Sequence, residues 1–139
     1  MNNLDVDAIL FIHKYMIEWY GGDNNYYAET INKIESILSQ QYGFFSCDKY
    51  PTVFQKAAML LYFFVKDHCF VDGNKRVALQ SAVTLLNLNG YEDIFDDKEA
   101  YELVIKTAKS NLKGIDVDNY IKDEIAKWFE NNFISINSN

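Results

Sequence analysis

The sequence predicts an all-α domain of about six helices built around a central helical hairpin. Three observations carry this. Apolar residues recur at three- and four-residue steps along most of the chain, the spacing of one helix face. One proline and six glycines in 139 residues leave long regular elements uninterrupted. A single stretch, 41–50 (QYGFFSCDKY), departs from helical spacing. There Gly43 beside Phe44 and Phe45 suits a short flap of β-hairpin type.

Asp5 is placed to cap a first helix in which Ile9, Ile12, His13, Met16, Ile17 and Tyr20 share a face, and Gly21-Gly22 stops it. After the polar GGDNN loop, a second helix runs from Ala28 to Gln40 with Ile31, Ile34, Ile37 and Leu38 on one side. Pro51 suits the first turn of a third helix. Its stripe of Val53, Ala57, Leu60, Leu61 and Phe64 projects four residues on to His68. A fourth starts near Asn74, turns Val77, Ala78, Ser81, Ala82, Leu85 and Leu86 inward, and ends at Asn89-Gly90. A fifth spans about Asp96 to Ser110, with Asp96 or Asp97 as N-cap and Lys106 and Lys109 near the negative end of its dipole. Beyond Gly114, Asp116 opens a sixth that carries Ile121, Ile125, Trp128 and Phe129. Residues 134–139 form a polar tail expected to fray. No repeat or linker divides the chain, so 1–139 is read as one domain.

Hydrophobic content of 49% with 16% aromatics excludes a disordered chain. A net charge of −7 and a pI near 4.7 argue against direct nucleic-acid binding, because phosphate backbones require clustered Lys and Arg. Any polyanion must therefore be held by a small basic site. The opening MNNLDVDAILFIHK lacks a basic n-region and a cleavage site, and no apolar run is long enough to cross a bilayer. A cytoplasmic protein with no membrane partner is expected, with Cys47 and Cys69 as thiols.

The chemistry concentrates in HCFVDGNKRVAL, residues 68–79, between the third and fourth helices. Gly73 permits close backbone approach to a ligand. The first N–H groups of the fourth helix, at Asn74 and beyond, have no intrahelical acceptor and sit at the positive end of its dipole, which makes an anion site. Lys75 and Arg76 bring two cations to the same turn, and arginine can grip a phosphate with two bonds. Asp72 is an oxygen ligand of the kind Mg²⁺ accepts while bridging to substrate phosphates. Histidine is the side-chain type whose charge changes near neutral pH, which suits His68 to take a proton from an attacking hydroxyl. Phe70 and Val71 are expected to anchor the loop in the core. Base, metal ligand, phosphate cradle and charge clamp together suit phosphoryl or nucleotidyl transfer. Taken singly, each has a plainer structural reading: a capping histidine, a turn aspartate, solvated cations at a helix start.

HCFVDGNKR resembles the signature of the Fic/Doc family, His-x-Phe-x-Asp/Asn/Glu-Gly/Ala-Asn-Lys/Gly-Arg, and meets every defined position. The first helix ending in WYGG and the FQKAAMLLYFFVKDH…RVALQSAVTLLNLNG hairpin look like the death-on-curing (Doc) toxin branch. The resemblance implies an all-α Fic fold, ATP with Mg²⁺, and transfer onto a protein hydroxyl. It makes His68 the general base, Asp72 the Mg²⁺ ligand, Gly73 and Asn74 the anion hole, and Lys75 and Arg76 the phosphate clamp. It also makes the 41–50 segment the flap that aligns a target peptide.

AMP-transferring members usually carry Gly where this chain has Lys75, and a second arginine where it has Leu79. Doc-type members have the lysine and an aliphatic residue, and are similar to kinases that bind ATP reversed and phosphorylate a threonine of elongation factor Tu. Lys75 and Leu79 favour phosphorylation. Gly73 points to AMP transfer, since the Doc branch has alanine there. A binding module that keeps the fold without turnover is disfavoured by the intact motif. The self-inhibitory Ser/Thr-x-x-x-Glu-Gly/Asn helix has no match; the nearest, Ala126 to Asn131, lacks the hydroxyl, so Glu130 is read as a surface charge and inhibition by a cognate antitoxin in trans is expected. Cys69 is expected to be structural, His13 to be packed and hydrogen-bonded, and Trp19, Tyr20, Trp128 and Phe129 to belong to the core.

Overall fold

A computed structural model describes residues 1–42 and 48–136 of the chain. Its helices are α1 (Val6–Tyr20), α2 (Thr30–Ser39), α3 (Val53–Lys66), α4 (Asn74–Leu88), α5 (Asp97–Lys109), α6 (Ile115–Tyr120) and α7 (Ala126–Asn132). A π-helical turn (Ile121–Ile125) and two three-residue strands, β1 (Tyr91–Asp93) and β2 (Phe133–Ser135), complete the described elements. The fold is all-α apart from that small sheet.

The centre is α3. Thr52 accepts from the Gln55 N–H and Gln55 returns a bond to the Thr52 N–H, a capping box that fixes where the helix begins. Pro51 therefore lies one residue before the cap rather than in the first turn. Apolar residues surround α3 on nearly every side, as expected of a helix enclosed by others. Its one buried cation, Lys56, is paired rather than stranded: the ammonium meets both carboxylate oxygens of Asp48, at 2.9 and 3.1 Å, and the Tyr50 carbonyl. Tyr50, fully buried, donates its hydroxyl to Asp118 at 2.8 Å, which ties residues 48–50 to α6. The expected flap lies mainly in 43–47, outside the described residues, as does Cys47.

All six residues expected to face inward on α4 are buried, and α3 and α4 form the central hairpin. Asp5 caps α1 by accepting from the Ala8 N–H at 2.8 Å, and Asp96 caps α5.

Several expectations are corrected. The stripe on α3 does not reach His68, because the helix ends at Lys66 with Asp67 as its cap. Trp19 and Tyr20 are 68% and 63% exposed, since the apolar face of α1 closes at Ile17. Ile31 and Val71 are exposed too, and α2 starts two residues later and ends one earlier than expected. The sixth helix opens at Ile115 behind Gly114, not at Asp116, and widens to π geometry over Ile121–Ile125, where the Ala126 N–H reaches back to the Ile121 carbonyl. Residues 134 and 135 do not fray. They pair antiparallel with β1 in the register Tyr91↔Ser135, Glu92↔Ile134 and Asp93↔Phe133. Phe133 holds that strand down, buried against Phe129 and Phe95.

Candidate active site

The 67–74 loop between α3 and α4 is fixed by its neighbours at nearly every residue. Thr30 at the start of α2 donates its hydroxyl to the Cys69 carbonyl at 2.5 Å, and Lys33 reaches the Asp67 carbonyl at 3.0 Å. The Asn74 side chain spans the loop, accepting from the Phe70 N–H at 3.0 Å and donating to the Phe70 carbonyl at 2.8 Å. Phe70 is buried and stacks on His13 with ring centres 3.9 Å apart, while the backbone of Tyr26 bridges that of Phe70. This much restraint in a connecting segment is what a reacting group needs from its support.

His68 is the product of that restraint. It is exposed, with φ at +47, the one described non-glycine residue in the left-handed region. The two residues that follow it, Cys69 and Phe70, are buried, and His68 itself lines a cavity of about 900 Å³. The same cavity is lined by Asp72, Gly73, Asn74, Lys75 and Arg76, so all six expected site residues meet in one place. Leu79 lines it one turn farther along α4, and Asp93, Asp97 and Tyr101 close the far side.

The carboxylate of Asp72 is held at both oxygens. Oδ1 accepts from the Gly73 N–H at 2.8 Å and Oδ2 from the Asp23 N–H at 3.2 Å. These two N–H groups hold its acid below the ordinary carboxylate range, so it is ionised at neutral pH. Each oxygen keeps a lone pair free. Among the described residues no trio of His, Cys, Asp or Glu could enclose a metal. A single ionised carboxylate with lone pairs to spare fits Mg²⁺, which takes few protein ligands and keeps its waters. The Gly73 N–H is thus engaged by the Asp72 carboxylate. The N–H groups of Asn74, Lys75 and Arg76 lie ahead of the first α4 bond, which runs from the Val77 N–H to the Gly73 carbonyl at 2.9 Å.

Gly73 has φ of +82, and a side chain there would sit 3.3 Å from Ile17 Cδ1. His13, fully buried, donates from Nε2 to the Asp72 carbonyl at 2.9 Å. Burial lowers the pKa of this imidazole, opposed by the bond to Asp72, and its Nδ1 has no partner. The Cys69 thiol is buried and its pKa is pushed up to about 12, so it is no nucleophile. Glu130 is exposed and does not line the cavity.

Sequence reasoning overlooked the end of α1. Tyr20 lines the cavity with the Arg76 guanidinium over its ring, and the Gly22-Asp23 bend abuts Asp72. The WYGG stretch was the available signal. Nothing in the sequence pattern marks Asp93 of β1 or Asp97 and Tyr101 of α5, which the tertiary fold brings in.

Residues 3–86 match the family model described as Fic/DOC family. Over 75 residues, 52% of its length, the chain is 36% identical to a Toxin Doc of Mycolicibacterium smegmatis, and it spans 58% of that relative. Over 112 residues, 81% of its length, it is 26% identical to the Protein kinase doc of Escherichia phage P1, covering 86% of that protein.

Proposed function

We infer, for a chain that belongs to the Fic/DOC family, a Doc-like toxin that transfers the γ-phosphate of ATP to a hydroxyl of a protein target. The target proposed is a threonine of elongation factor Tu, with arrest of translation as the outcome. One observation supports this most: an exposed histidine, an ionised carboxylate and two cations share a cavity whose next α4 turn offers Leu79 instead of another cation.

In the proposed reaction the target hydroxyl gives its proton to His68 while its oxygen attacks the γ-phosphorus. The bond from that phosphorus to the β,γ-bridging oxygen breaks and ADP leaves. Lys75, Arg76 and the N–H groups opening α4 offset charge on the phosphate oxygens, and the fixed loop keeps His68 in line. Asp72 would hold Mg²⁺, which supplies further neutralisation of the phosphates. With the Glu130 carboxylate away from the cavity, restraint of the toxin is assigned to a separate antitoxin.

AMP transfer is the second reading, favoured by Gly73. Incubation with elongation factor Tu and ATP labelled at either phosphate separates the two. Label from the γ but not the α position is expected, with an added phosphate mass on a threonine and none with His68→Ala. Transfer of α label alone would establish AMP transfer instead; no transfer from either label would remove both enzyme readings.

A further inference from the structure

The Arg76 side chain lies over the ring of Tyr20. Among the described residues, its guanidinium meets no carboxylate within ion-pair distance and makes its contact with the face of Tyr20, the guanidinium carbon 4.6 Å from the ring centre. Tyr20 is the last residue of α1, where Gly21, with φ of +80, ends the helix and donates its N–H to Ile17 at 2.8 Å. The ring is 63% exposed and lines the same cavity as Arg76, so it contributes little to the core.

The choice of holder matters chemically. A carboxylate would fix an arginine by using the N–H groups that a phosphate needs. An aromatic face engages the guanidinium from above and leaves all five in-plane donors free. Resting on the assignment of a phosphate site to this cavity, we propose that Tyr20 is a positioning residue: its ring presents Arg76 to the phosphates of the nucleotide without occupying the donors.

Titration with a non-hydrolysable ATP analogue and Mg²⁺, and separately with tripolyphosphate, tests this by calorimetry. Tyr20→Leu is expected to raise Kd for both by about 2- to 5-fold, the range for one exposed cation–π contact. Tyr20→Phe, which keeps the ring, should restore binding to within about 2-fold. In an Arg76→Ala background, Tyr20→Leu should have no further effect. A full Tyr20→Leu loss in that background would mean that the ring touches the ligand itself and would overturn the proposal. Equal binding by the parent protein and Tyr20→Leu would also overturn it, leaving the phosphate site intact. A parent protein that binds neither ligand would remove the phosphate site and the proposal together.

Discussion

At the scale of single residues, the backbone of His68 carries a signature of its task. A non-glycine residue at φ of +47 persists only where its surroundings over-determine it, and here Cys69 and Phe70 on one side and the α3 cap on the other do so. Asparagine tolerates that conformation and cannot act as a base. His68→Asn is therefore expected to melt like the parent protein while losing transfer by about 10²- to 10⁴-fold, read from initial rates; a variant that unfolds would show the histidine to be structural. Gly22 is constrained by space as well as by backbone. A Cβ there, at φ of +125, would lie 2.6 Å from Asp72 Oδ2 and 3.1 Å from Ile17 Cδ1. Gly22→Ala should displace the carboxylate and raise the Mg²⁺ concentration needed for half-maximal transfer several-fold. Gly21→Ala, with positive φ but no atom within 4 Å of its Cβ, bears a backbone cost of about 1–3 kcal/mol and should leave the Mg²⁺ requirement where it was.

At the scale of elements, α1 and the 67–74 loop are clamped through His13, and this seam should respond to pH. Burial lowers its pKa from the ordinary 6.5, so the unfolded chain binds this proton more readily than the folded one. Its effect on stability is nil above 6.5 and becomes unfavourable as pH falls from there toward the folded value. The groups facing it are the stacked Phe70, the edge of Tyr26 and the Asp72 carbonyl and carboxylate. Thermal melts of the parent protein should drop between pH 7 and pH 5 by more than those of His13→Gln, which retains a donor but does not titrate; parallel curves would refute the clamp. The α3–α4 hairpin and its loop were legible because helical spacing, a glycine and a charge cluster are local features. The β1–β2 pair was not: three residues are too few for a period-two pattern, and Phe133 packs on Phe95, 38 residues away in the sequence, as well as on neighbouring Phe129. Helical spacing likewise placed Tyr20 on the apolar face of α1, one turn beyond where other elements cover it. Local pattern located the 67–74 loop as the candidate site, but the platform behind it is a tertiary product.

At the scale of the whole molecule, a net charge of −7 surrounds the site proposed for an anion. The two signs act over different ranges. Lys75, Arg76 and the α4 N-terminus work across a few ångströms, whereas the total charge acts as far as salt allows. At 10 mM ionic strength the screening length is about 30 Å, more than the roughly 14 Å gyration radius expected for 139 residues, so an approaching nucleotide–Mg²⁺ complex meets net repulsion. At 0.1 M the length falls to about 10 Å, and only the local cations remain within reach. The association rate should therefore rise, by about 2-fold or more, as salt increases from 10 to 100 mM, whereas a basic nucleotide-binding surface would show the opposite slope. Stopped-flow binding of a fluorescent ATP analogue across that range measures it directly. A rate that falls with salt would mean that the basic turn, not the acidic bulk, governs the approach, and would place the attractive field of Lys75 and Arg76 well beyond the cavity mouth.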